Sequence, residues 1–244
     1  MAFVIENDNL WKKNNNLITT QGYSDSTWNP YGLPSKTIRL KFKSDVTEQN
    51  ITRLSADSYS LVSEADNVWE LTYDKSNWEG LFRLPYNAGT PKDQVVSAIT
   101  EIVAANLEGV TDINNCFWNS RLTATCPIYA PDAVKLASFF ELSDLRSCPS
   151  VYVPNADDAQ QFFYNCSNLK SFNGFVDSHN VNNLWRTFCN CGSLTSIGWF
   201  DTYNVVNMSE TFSGCIKLTK VPQYNTAKLR SKILALTERT CRAK

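Results

Sequence analysis

Residues 177–197 read DSHNVNNLWRTFCNCGSLTSI, and residues 201–221 read DTYNVVNMSETFSGCIKLTKV. The second stretch rewrites the first twenty-four residues later, from Asn-Val-x-Asn through to Phe-x-x-Cys-x-x-Leu. The same ending stands once more at residues 163–172, FYNCSNLKSF. A catalytic motif needs to occur only once. A motif that returns on a fixed period of 20–50 residues is the signature of stacked structural units.

Working outward, Val181, Leu184, Trp185 and Phe188 fall at i, i+3, i+4 and i+7, and Val205, Met208 and Phe212 repeat that spacing. It predicts a short helix with one apolar face. Looser copies then become readable: Ala156, Ala159 and Phe163; Ala133, Leu136 and Phe140; Val110, Ile113 and Phe117. A leucine follows each phenylalanine, at Leu122, Leu145, Leu169, Leu194 and Leu218, which makes five copies spaced 23 to 25 residues apart. A unit of that size cannot bury its own apolar face, whereas a stack of such units buries a continuous one. Phe117, Phe140, Phe163, Phe188 and Phe212 are then one ladder, the five leucines a second, and Cys166, Cys191 and Cys215 small apolar rungs beside them. The segments NLKSF, SLTSI and KLTKV are expected to be the strand of each unit.

The two stretches at 177–221 resemble the BspA-like leucine-rich repeat of bacterial surface proteins, whose repeat begins D-T-S-N-V-T-N-M and ends M-F-x-x-C-x-x-L-x-x-[LIV]. The likeness is dense over 177–221 and looser over 110–176, where the first two copies lack the cysteine. It implies an α+β chain in which a short leucine-rich-repeat-type α/β solenoid with helical caps occupies residues 89–225. TPKDQVVSAITEIVAANLEG (90–109) reads as the front cap helix, with Thr90 as N-cap, Pro91 in its first turn and Gly109 as its stop. Leu229, Ile233 and Leu236 give the basic segment 226–244 one apolar face, a cap helix at the back. Residues 1–88 differ in kind. TIRLKFKS (37–44) alternates Ile38, Leu40 and Phe42 with basic residues, SYSLVS and NVWELTY are further strand candidates, and NWEGLF (77–82) reads as a helical turn. These features predict a β-rich, sandwich-like anchoring domain. Its Ile38-Arg39-x-Lys41-Phe42 and Asn67-Val68-Trp69 segments resemble those ahead of the repeat in phage and bacterial proteins that carry it.

Composition narrows the function. An apolar content of 43% supports a real core, and a net charge of −1 gives no bulk attraction to nucleic acid. From Lys217 onward eight basic residues face the single acid Glu238, a pattern that fits a solvated helix end and also a contact with nucleic acid or an acidic membrane. The start MAFVIENDNLWKKNNN has no basic-then-apolar signal pattern, and no run approaches a membrane span, so the expected chain is cytoplasmic in origin with no membrane insertion. All eight cysteines lie after residue 115; buried thiols are the favoured reading, with disulfides and a zinc site as alternatives.

The single histidine, His179, sits where the next copy has Tyr203, poor material for a catalytic base. Asp157-Asp158 reads as a solvated face, and no G-x-S-x-G, phosphate-cradling loop or H-E-x-x-H occurs. The chain is therefore expected to have no catalytic, cofactor-binding or metal-binding residues. Lys170, His179, Trp199 and Tyr203 are the candidate binding surface, with Trp185 and Phe200 nearby. Together these readings point to a non-enzymatic structural and interaction protein. The expectation is a bacteriophage virion component (head fibre, decoration or tail protein), assembled in the host cytoplasm and held by the particle. Its partners would be other virion proteins and a host-surface protein or glycan, in a homo-oligomer without nucleic acid. The alternative is a bacterial cell-surface adhesin of the BspA type.

Overall fold

A computed structural model describes residues 32–43, 46–51, 54, 59–63, 66–219 and 221. The chain divides into two units, Met1–Gly32 and Leu33–Lys244, and every element below belongs to the second. The expected back cap at 226–244 lies outside the described residues, as does most of the stretch before residue 37.

The alternation in TIRLKF produces β1 (Thr37–Phe42), which buries Ile38, Leu40 and Phe42 and leaves Lys41 exposed. A one-turn helix α1 (Glu48–Ile51) leads to β2 (Tyr59–Ser63), and β3 (Val68–Tyr73) follows. β3 lies antiparallel between β1 and β2. Opposed side chains fix the β1–β3 register: Thr37 and Thr72 share a hydroxyl hydrogen bond of 2.9 Å, and Arg39 donates from Nε to Glu70 at 2.9 Å.

Residues 90–108, expected to be one helix, split in two. Helix α2 covers Pro91–Ser97 and strand β4 covers Ile99–Asn106. The N-terminal reading holds: Thr90 Oγ1 accepts from Asp93 N–H, and the Asp93 carboxylate accepts from Thr90 N–H. The hydrogen bond from the Thr90 side chain is the main cause that holds the Asp93 carboxyl below its ordinary range. Beyond Ala98, β-branched Ile99, Thr100, Ile102 and Val103 favour an extended chain, and β4 takes the free edge of β1, with Leu40 opposite Ile102. Tertiary pairing outweighs helical periodicity here.

From β4 onward each repeat contributes very short strands. β5 (Ala124–Thr125), β6 (Ile128–Tyr129), β7 (Ser147–Cys148), β8 (Val151–Tyr152), β9 (Ser171–Phe172), β10 (Phe175–Val176) and β11 (Ser196–Ile197) all pair in parallel. One sheet runs β10-β8-β6-β4-β1-β3-β2, with β5 beside β4, and a second runs β11-β9-β7. Strands were expected in NLKSF and SLTSI and are found there as β9 and β11; the line β6, β8, β10 had no counterpart in the sequence reading. The sheet crosses the domain boundary expected at residue 88, because β1 pairs with β4, and one buried cluster extends from Ile38 to Leu218. The described residues are mostly sheet with few helices, an α+β arrangement of a mixed sheet and a parallel sheet; no sheet among them closes into a barrel.

The segments expected to be short helices are runs of stacked turns. Asn77, Asp112, Lys135, Asp158, Asn183 and Asn207 form a line of parallel bridges, one per rung. Three residues after each bridge, the backbone takes a left-handed conformation, at Gly80, Asn115, Ser138, Gln161, Arg186 and Glu210. Seven residues after it, the same occurs at Asn119, Leu142, Asn165, Asn190 and Gly214. These residues stop helical propagation and divide the amides into two sets. In the rung 183–191, Leu184, Arg186, Phe188 and Asn190 donate N–H to Asn207, Ser209, Thr211 and Ser213 of the next rung. Thr187, Cys189 and Cys191 donate back to Leu184, Arg186 and Phe188. Every buried amide in the run finds an acceptor without a helix.

The bridge line also shows a sixth rung. NWEGLF, expected as a helical turn, carries Trp78, Gly80 and Phe82 into the same places, and their N–H groups donate to Asp112, Asn114 and Cys116. It precedes Phe117 by thirty-five residues because α2 and β4 are inserted between them. The phenylalanine ladder therefore begins at Phe82. Ring centroids along Phe82, Phe117, Phe140, Phe163, Phe188 and Phe212 are 5.0, 5.9, 5.8, 5.6 and 5.5 Å apart, with interplanar angles of 13 to 27°. That is offset stacking. Leu122, Leu145, Leu169, Leu194 and Leu218 are fully buried beside it.

This packing sets a stability prediction. Phe188 is fully buried between two ladder rings, so Phe188→Ala should destabilise the protein by about 3–5 kcal/mol. His179→Ala, at a side chain 52% exposed, should change stability by less than about 0.5 kcal/mol. Urea melts of the two variants make the comparison.

Candidate binding surface

The four candidate residues stand at three kinds of position in the repeat. Lys170 is exposed beside β9, and its backbone bonds to Arg146 and Thr195 on neighbouring rungs. His179 and Tyr203 occupy equivalent turns one rung apart: the Asn204 side chain donates to the His179 carbonyl at 2.6 Å, and Tyr203 is 50% exposed. His179 Nδ1 lies 3.0 Å from Asp177 Oδ1. Trp199 is half-buried, with its carbonyl pressed against Gly174, where a Cβ would come within 2.3 Å of that oxygen. Phe200 is core, edge-on to Phe175 at 5.7 Å.

Three cysteines are rungs of the stack. Cys166, Cys191 and Cys215 each donate a thiol hydrogen bond to the carbonyl of the ladder phenylalanine one rung earlier, Phe140, Phe163 and Phe188, at 3.0, 3.1 and 2.9 Å. Ser120 and Ser143 hold the same place, eight residues past the bridge, in the two copies without cysteine. Burial pushes the Cys166 thiol up to about 12 and Cys148 and Cys191 well above the ordinary range, so these thiols stay protonated at neutral pH. Seven cysteines are free; Cys241 lies outside the described residues.

Side chains two and six residues past the bridges lie outside the ladder cluster and make a second band, one that sequence periodicity concealed. Trp185, expected on the core face, is half-buried outside it. The Arg186 guanidinium stacks 4.7 Å from the Trp185 ring and 6.0 Å from Tyr164, and it forks onto Glu210 with Nε and Nη2 both at 2.9 Å. Further along, Arg83 lies 4.8 Å over Trp118, which meets the exposed Tyr86 edge-on at 4.8 Å. Tryptophan, tyrosine and arginine are the side chains that dominate binding energy at protein interfaces. The signal existed in the sequence, but reading it required the four-residue period of the turns.

Next to this band runs a polar groove of about 450 Å³, lined by Asn114, Lys135, Asp157, Asp158, Gln160 and Asn183 among others. It opens where Ala137 stands in line with the larger Asn114, Gln160 and Trp185. Bridge residues with a side-chain oxygen cap their own turn; Asp158 Oδ1, for instance, accepts from Gln160 N–H at 2.9 Å. Lys135 Nζ reaches Asp112 at 3.5 Å. No group of three or more His, Cys, Asp or Glu side chains placed to hold a metal occurs among the described residues, nor any helix long and apolar enough to cross a membrane. Comparison of the chain with family models, curated proteins and solved structures finds no match.

Burial raises the Asp158 carboxyl above its ordinary value, with Asp157 adding to the shift. A raised carboxyl stabilises the fold below its unfolded pKa and loses that contribution as pH rises through the folded pKa. Asparagine performs the same cap at Asn183 and Asn207. Asp158→Asn should therefore raise the melting temperature at pH 7, and the gain should shrink as pH falls toward about 4. Thermal melts across pH 3–7 read the sign directly.

Proposed function

We propose that this chain is a non-enzymatic structural and interaction protein, a BspA-like leucine-rich repeat solenoid fused to a β-rich segment, and a component of a bacteriophage virion. One observation carries the reading. The repeating residues, the phenylalanine, leucine and cysteine ladders, are spent on stacking, while the variable positions between them present tryptophan, tyrosine and arginine outward. That division suits a scaffold that displays a surface. The one histidine, His179, faces the Asp177 carboxylate. The paired strands β1 and β3 carry Ile38-Arg39-x-Lys41-Phe42 and Val68-Trp69, within segments that resemble those ahead of the repeat in phage and bacterial proteins, which fits an anchoring region in front of the stack. Host-surface protein or glycan and neighbouring virion proteins are the partners this reading assigns.

Quantitative mass spectrometry of gradient-purified particles, with host surface fractions in parallel, tests the assignment. The chain should copurify with particles at a fixed ratio to other virion proteins. Recovery from the bacterial surface alone would overturn the virion reading and leave the adhesin one.

A further inference from the structure

Within the second band the arginines are held and one largely buried carboxylate is not. Arg186 is held by Glu210 and two rings, and Arg83 by the Trp118 ring. Glu141 stands six residues past the bridge at Lys135, in line with Trp118 on the rung before and Tyr164 on the rung after. The alignment is fixed by backbone hydrogen bonds, from Asn119 N–H to the Glu141 carbonyl at 2.7 Å and from Leu142 N–H to the Tyr164 carbonyl at 2.8 Å. Glu141 is only 9% exposed, yet among the described residues its carboxylate accepts no hydrogen bond and forms no ion pair. The carboxylate is not sealed off, since Ser120 Oγ is the one fully buried side-chain oxygen without a partner among those residues.

A largely enclosed carboxylate with no donor of its own in the fold is an open acceptor. A cation with N–H donors suits it, and the aromatic residues Trp118 and Tyr164 on the adjacent rungs favour the same group. We propose that Glu141 anchors a docking site for an arginine or lysine side chain of a partner protein, entering between Trp118 and Tyr164. The site rests on the interaction reading and specifies it: the partner presents a basic residue to this band. Neighbouring Arg83 and Arg186 do not fill the place, because Arg83 lies over the Trp118 ring and Arg186 is held by Glu210.

The full chain is titrated with acetyl-Gly-Arg-Gly-amide and, separately, acetyl-Gly-Gln-Gly-amide at low ionic strength, with saturation-transfer NMR as the readout. The arginine peptide should bind and the glutamine peptide should not. Glu141→Gln keeps the shape and should weaken binding at least tenfold, and Tyr164→Leu should weaken it several-fold. Asp157→Asn removes an equal charge from an exposed carboxylate and should leave binding within twofold. Thermal melts establish that each variant is folded. Equal binding by Glu141→Gln, an equal loss in Asp157→Asn, equal binding of both peptides, or no binding of the arginine peptide would each overturn the site. Such a result leaves the virion assignment standing if the chain still copurifies with particles. Absence from particles together with Glu141-dependent peptide binding would sink the virion assignment and keep the site.

Discussion

The hydrogen bonds that run from one turn to the next are the constraint on which the rest depends. Two residues per rung, such as Arg186 and Asn190, sit in the left-handed region so that alternate amides face the neighbouring rung. For residues other than glycine that conformation costs on the order of 1–2 kcal/mol each. The four inter-rung bonds return about 0.5–1.5 kcal/mol each, so the backbone exchange is close to neutral. Net stability then comes from burial, at about 1.5–3 kcal/mol for each ladder phenylalanine. Hydrogen bonding sets the geometry of the stack; apolar burial makes the stack worth forming.

That division explains what could be read from sequence and what could not. The ladders were legible because each ring, leucine and thiol meets its own copy, so the core repeats as the sequence does. The local conformation was not. Turns that reverse every four residues place Leu184 and Phe188 inward, which is nearly the spacing of a helix with 3.6 residues per turn. Periodicity alone does not separate the two, and Trp185 was put in the core as a result. The first rung escaped notice because Trp78 and Gly80 replace the usual residues and an insertion stretches the period to thirty-five residues. Residues 99–106 look helical by pattern and are a strand because β1 offers an edge to pair with.

The same insertion makes the early strands part of the stack's closure. β1, held between β3 and β4, joins an antiparallel region to the parallel strands of the repeats within one sheet, and Trp78 and Phe82 cover the first face of the ladder. An unbroken core from Ile38 to Leu218 leaves the outward positions free to differ from rung to rung. The interaction reading is built on those positions: Trp118, Glu141, Tyr164, Trp185 and Arg186 occupy places where nothing in the ladder dictates the residue.

A double-mutant cycle tests the stacking most directly. Phe163 and Phe188 are on adjacent rungs with ring centroids 5.6 Å apart, whereas Phe117 and Phe188 are three rungs apart. With leucine substitutions and urea melts, the adjacent pair should show a coupling of about 0.5–1.5 kcal/mol. The distant pair should be additive to within roughly 0.5 kcal/mol. Equal coupling in both pairs, or none in the adjacent one, would contradict the account.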